Sequence, residues 1–388
     1  MLLLLSAFLL IYGAMHCYFY WRLRGALPNL GAGRAMVGLF LLLMILAPVL
    51  VRLLEREGGA VAATLLAHLG FGWMGFLYLF TVVALMLDAL RLLRIRLAGP
   101  PKLALPGVAT SRWPARVPAP AAVFWLAFLA AVAGCAYGYR EALDIRLEQV
   151  RIVSDKLPPA EGVVRIVQIT DIHLGLIVRE RRLERMLAVV AQARPDLLLA
   201  TGDIVDGQGD GIAPLAEQFR RLKTPLGKFA ILGNHEFYVG ATASLDFHES
   251  AGFTVLRGEL SRVTPWLTVA GVDDITGERL GLTPPGQEEE LLALLPEETF
   301  NILLRHQPRV VPGGLVDLQL SGHIHRGQIF PFNLFTWLAY RVSTGLSVAA
   351  DGRYLYVGRG TGTWGPPIRF LAPPEVTLIE LIPAPAAS

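Results

Sequence analysis

Cysteine is scarce. Cys17 and Cys135 are the only two in 388 residues, and each lies inside an apolar stretch. Both read as small hydrophobic side chains and carry no information about redox compartment. Charge is thin as well: Asp, Glu, Lys and Arg make up 17% of the chain, against about 25% in an average soluble protein. No fixed-period repeat or low-complexity tract is present, so no repeat architecture needs to be considered. The second half also lacks a basic surface. Residues 1–150 hold 13 basic and 6 acidic side chains, a net of +7, whereas residues 151–388 hold 22 and 26, a net of −4. An enzyme of nucleic acids carries positive charge where its chemistry is done, which disfavours that class here.

The chain has long hydrophobic runs instead, all in its first half. A membrane span needs about 20 predominantly apolar residues. Four runs contain no charge: 2–20, 35–51, 59–87 and 117–139. They predict an all-α transmembrane bundle with spans over 2–20, 35–54, 59–88 and 117–139. Tyr18, Tyr20, Trp21 and Trp113 fall near the ends, where aromatic rings favour the headgroup layer. The first run has no basic leader, which argues against a cleaved signal peptide. Loops on one side carry nine basic residues (Arg22, Arg24, Arg34, Arg91, Arg94, Arg96, Lys102, Arg112, Arg116) and the other side five (Arg52, Arg56, Arg140, Arg146, Arg151). Positive residues stay inside, so both termini are expected outside the cytoplasm. Asp88 lies at a span end and no charge falls within the runs, so the spans read as an anchor with no ion path. The expected organisation is an anchor over 1–140, a linker over 141–160 and a second domain over 161–383.

That second domain has an α/β pattern. Residues 163–170 (VVRIVQIT) form a short β-branched run typical of a buried strand. Leu183, Met186, Leu187 and Val190 then recur at helical spacing, and 196–200 (DLLLA) follows Pro195 as a second strand. Strand, helix, strand in this order is a right-handed unit with parallel strands, whose ligand groups gather at the strands' carboxyl ends. The polar residues lie at those ends. Asp171 and His173 follow the first strand, and Asp203 and Asp206 follow the second. Asn234, His235 and Glu236 follow 229–232 (FAIL), His306 follows 301–304 (NILL), and His323 and His325 follow 317–320 (DLQL). Five of the eight histidines sit in these clusters.

The motif order, DIH (171–173), GDIVD (202–206), GNHE (233–236), His306 and GHIH (322–325), resembles the calcineurin-like metallophosphoesterases. The segments 327–335 and 361–370 resemble that family's membrane-attached, multi-span bacterial branch. The resemblance implies an αββα sandwich of two mixed sheets. It also implies two divalent transition-metal ions per chain (Mn, Fe, Zn or Co), an ion set that suits mixed O/N donors without thiolate. Carried over residue by residue, Asp171, His173 and His325 hold one ion, Asn234, His306 and His323 the other, and Asp203 bridges. His235 matches the family's catalytic non-ligand histidine, and Asp206 matches an acid that orients a neighbour. The implied reaction is phosphoester hydrolysis by a metal-bridging hydroxide, with ions roughly 3.5–4 Å apart.

Arg305 and Arg326 depart from the family pattern, and both are candidates for a phosphate oxygen. Arg359 and Asp273–Asp274 read equally as turn chemistry. Expected partners are a phosphoester, whether monoester, diester or pyrophosphate and conceivably lipid-linked, and the lipid bilayer. The lipid idea comes from the uncharged, aromatic-rich run 329–340 beside the GHIH motif. The expected location is a bacterial plasma membrane with the second domain on its outer side. The alternatives are a catalytically silent scaffold of the same fold and a nuclease.

Overall fold

The computed structural model describes residues 2–97, 119–207, 211–310 and 314–385. Lys102, Arg112, Trp113 and Arg116, which enter the orientation argument, lie outside them. Two compact units are present, Met1–Tyr137 and Gly138–Ser388.

The first unit is helical: α1 (Leu2–Ala26), α2 (Gly33–Arg56), α3 (Ala60–Leu97) and α4 (Pro120–Glu141). Three of these, α2, α3 and α4, are long and apolar enough to cross a membrane, and the remaining expected span coincides with the 25-residue α1. Small residues let α2 and α3 touch, since a Cβ on Gly70 would lie 2.7 Å from that of Ala47. Arg22, read from sequence as a loop charge, is buried and pairs with Asp88. His16 is a packed histidine: it accepts from Trp73 Nε1 (2.9 Å) and donates to the Tyr12 carbonyl (2.7 Å).

The second unit holds two six-stranded mixed sheets. Its strands are β1 (Arg146–Ser154), β2 (Val164–Ile169), β3 (Leu197–Ala200), β4 (Lys228–Ala230), β5 (Thr254–Val255), β6 (Glu259–Thr264), β7 (Leu267–Gly271), β8 (Phe300–Leu304), β9 (Leu318–Ser321), β10 (Gly345–Val348), β11 (Tyr354–Val357) and β12 (Glu375–Pro383). The first sheet runs β1-β12-β2-β3-β4-β5 and the second β10-β11-β9-β8-β7-β6. The helices are α5 (Glu180–Ala193), α6 (Ala216–Arg220), α7 (Asn234–Val239), α8 (Ala241–Ser250), α9 (Ile275–Arg279), α10 (Gln287–Leu292) and α11 (Asn333–Tyr340).

Alternation along the strands builds the layers. Ile166, Leu197 and Leu199 face the second sheet and pack with Val269, Ile302 and Leu320. Their neighbours Val167, Leu198 and Ala200 face outward onto Leu183, Met186 and Val190 of α5. On the far side, Leu291 packs over Ala270 and Leu303 of the second sheet. The result is the expected αββα sandwich.

Residues 146–154, within the expected linker, form β1, paired in parallel with β12 from Arg146↔Glu375 to Ser154↔Pro383. Its mixture of charged and apolar residues is an edge strand with only Ile152 fully buried. The chain therefore passes from α4 to the first sheet with four residues between, 142–145.

Candidate metal centre

Strands β2, β3 and β4 are adjacent and parallel, as are β8 and β9, so their carboxyl ends gather the polar residues. The backbone there is not relaxed. Asp171, His173, Asp203, His323 and His325 all have φ between +47° and +70°, a region that costs non-glycine residues about 1–3 kcal/mol each and concentrates at functional sites. The motif glycines explain how the loops pack so closely. A Cβ on Gly233 would lie 2.3 Å from Asp203 Oδ1, and one on Gly322 would lie 2.3 Å from Asp171 Oδ2.

All seven candidate ligands converge, six of them buried and His323 half-buried. Three groups have donor atoms close enough to share an ion: Asp171, His173 and His325; His173, Asp203 and His235; Asp203, His306 and His323. His173 joins the first group to the second, and Asp203 joins the second to the third. His173 Nε2 and His325 Nε2 face each other at 3.0 Å. His306 Nε2 lies 3.1 Å from Asp203 Oδ2 and 3.2 Å from both Asn234 Oδ1 and His323 Nδ1.

The donor set fits divalent transition metals on three counts. It offers imidazole and oxygen without thiolate. His306 Nδ1 donates to the Thr201 carbonyl at 2.8 Å, which turns Nε2 toward the cluster; burial opposes charge there, but the Asp203 carboxylate outweighs it and raises the pKa. Burial, reinforced by His235, lowers the His173 pKa to about 3, and burial with His306 lowers that of His323 to about 4. Both shifts favour the neutral imidazole that ligation requires.

His235 differs in kind. Its Nδ1 donates to Asp206 Oδ1 at 2.8 Å. Burial works against the imidazolium, but the Asp206 and Asp203 carboxylates outweigh it and raise the pKa to about 9. The result is an imidazole held by a carboxylate hinge beside the ligand cluster. Tyr238 and Trp364, each 54% exposed, set their rings 5.6 Å from it.

The two arginines separate. Arg305 pairs with Glu288 (2.9 Å) and donates to the Arg309 carbonyl (2.6 Å). Arg326 is exposed, at φ +51°, directly after His325. Arg359 pairs with Glu148 and Glu375, Asp273 with Arg257, and Asp274 caps α9 through the Thr276 N–H, all as turn chemistry.

Two residues around the site have roles the sequence reading missed. Glu236 is fully buried and accepts the backbone N–H groups of Asp203, Ile204, Val205 and Gly233 at 2.7–3.1 Å. It locks the bridging loop to the α7 turn, and its position three residues past Gly233 is a capping-box signal. Arg369, also fully buried, donates to the carbonyls of Gly362, His325 and Arg359 and reaches His325 Nδ1 at 3.1 Å. No spacing rule points to it.

Comparison with known proteins points to one family. Residues 164–327 match the family model for calcineurin-like phosphoesterases. A metallophosphoesterase of Aquifex aeolicus (strain VF5) is 42% identical over 258 residues, covering 66% of this chain and 98% of that protein. Another from Helicobacter pylori (strain ATCC 700392 / 26695) is 32% identical, covering 61% and 64%. A transmembrane protein with metallophosphoesterase domain from Danio rerio is 31% identical, covering 61% and 57%.

Proposed function

The chain belongs to the calcineurin-like metallophosphoesterase family, and from that premise we propose that it is a membrane-anchored, dinuclear-metal hydrolase of a phosphate monoester, diester or pyrophosphate. The observation that carries the reading is the chain of overlapping donor groups from Asp171, His173 and His325 through Asp203 to His306 and His323, with Asn234 beside His306 and His235 held by Asp206. Two divalent ions in that cluster would neutralise phosphoryl charge and activate water. Asp171, His173 and His325 would hold one, Asn234, His306 and His323 the other, and Asp203 would touch both.

The rest of the work falls to the chain. His235, with Nδ1 bonded to Asp206, donates from Nε2 to a phosphoryl or leaving-group oxygen. Asp206 fixes its tautomer and direction. Arg326 offers an exposed guanidinium to a phosphate oxygen.

The test uses full-length protein in detergent, stripped of metal and reloaded with Mn, against aryl monoester, aryl diester, pyrophosphate and phospholipid substrates. Hydrolysis should depend on metal and disappear with chelator. Asp203→Ala and His323→Ala should lose bound metal together with activity, and Arg326→Gln should raise KM with kcat little changed. Stoichiometric metal with no turnover on any substrate would replace the enzyme with a silent scaffold.

A further inference from the structure

An exposed apolar surface of the second unit lies on α11 and the residue before it. None of the helix's eight side chains is buried. Phe332, Leu334, Phe335, Trp337 and Leu338 are 47–62% exposed. Water-soluble domains seldom leave so many large apolar side chains contiguous and uncovered.

This surface is held in place. At one end the Gln328 side chain donates to the carbonyls of Trp364 (2.8 Å) and Pro366 (3.1 Å) and accepts from the Trp364 N–H (2.9 Å), while Phe330 N–H donates to Phe370 O (3.0 Å). At the other end Tyr340 packs edge-on against His323, ring centres 5.5 Å apart. The segment is thus anchored through its polar groups and displays its apolar ones.

Its charge is one-sided. Between Asp317 and Asp351 there is no acidic residue, while Arg326 and Arg341 bracket the aromatics, in a half-chain whose net charge is −4. The Arg341 guanidinium lies 5.5 Å from the Trp337 ring centre. Aromatic rings beside arginine, without carboxylates, are the composition of the layer between lipid headgroups and acyl chains, and anionic headgroups attract the two arginines. The chain supplies the bilayer itself, with three helices fit to cross one and only four residues between α4 and β1. A tether that short keeps lipid at high effective concentration.

We propose that α11 and its flanking residues form a bilayer-contact surface, seated at the headgroup boundary with Phe332, Phe335 and Trp337 toward the acyl chains. The proposal does not depend on the hydrolytic reading. It is tested with the full chain in vesicles containing phospholipid brominated on the acyl chains. The emission difference between wild type and Trp337→Phe isolates Trp337. That component should lose most of its intensity to brominated lipid and little to aqueous iodide. Arg341→Glu should weaken the lipid quenching, and more in anionic than in zwitterionic vesicles. Quenching of Trp337 by iodide alone would place it in water. Protection from both quenchers would mean that protein covers it, whether the same domain or a second copy. Either result overturns the proposal.

Discussion

His235 and the candidate ligands separate two kinds of loss. Replacing His235 with Ala should leave bound metal near the wild-type level and lower kcat by about 10²–10³, the usual effect of removing one transition-state donor. Metal analysis beside steady-state kinetics checks this, and loss of metal equal to that of Asp203→Ala would make His235 a ligand. Arg369 is the contrasting case. Arg369→Met would strand several buried carbonyls and should cost about 3 kcal/mol or more, read as a lower denaturation midpoint. Arg369→Lys should recover only part, because one ammonium cannot reproduce the guanidinium's fork. Full recovery with Lys would show that charge alone suffices. These two residues also mark what the sequence made legible. Asp171, His173, Asp203 and the GHIH histidines were readable because strand ends and fixed spacings announce them. Arg369 was not, because its partners are carbonyls of Gly362, His325 and Arg359, and backbone carries no sequence signature.

The junction between β4 and α7 has no spare volume at Gly233. Gly233→Ala would push a methyl into Asp203, and a displacement of that kind can cost about 10² in kcat. The expected outcome is reduced metal occupancy and turnover in a domain with an unchanged circular dichroism spectrum, and a fully active variant would refute the packing argument. α8 carries a different liability. His248 is buried, donates to the Ser244 carbonyl at 2.7 Å and has no partner at Nε2. Burial lowers its pKa to about 4, whereas the unfolded chain takes up the proton near 6.5. Stability is therefore intact above pH 6.5 and falls as pH drops toward 4, by up to about 3 kcal/mol. Urea midpoints at pH 7 and pH 5 should diverge more for wild type than for His248→Phe, in which His173 and His323 still contribute, and equal divergence would clear His248. Among the elements, β2, β3, β8 and β9 were visible as buried apolar runs, and α5 by its helical period. β1 was hidden, since its alternating Arg, Leu, Glu and Val suit a linker as well as an edge strand. Only pairing with β12 decides between them.

For the molecule as a whole, the count of nine basic loop residues against five predicts an extracytoplasmic second unit. A reporter active only outside the cytoplasm, fused after Ser388, should work, and a cytoplasm-only reporter there should fail. The reverse pattern would invert the topology. The burial of Arg22 against Asp88 weakens that count by one, because a charge neutralised inside the bundle no longer marks a side. The pairing of β1 with β12 also sets a schedule. Arg151 and Glu380, which meet across it, are 229 positions apart. At a ribosomal pace of 5–20 residues per second, the first strand waits about 10–45 s for its neighbour. During that interval β2 lacks β12 too, so one margin of the first sheet is exposed while α4 is already committed to the membrane. A nascent chain that stalls before Glu375 is thus a tethered, half-closed sheet, a ready substrate for membrane proteases and chaperones.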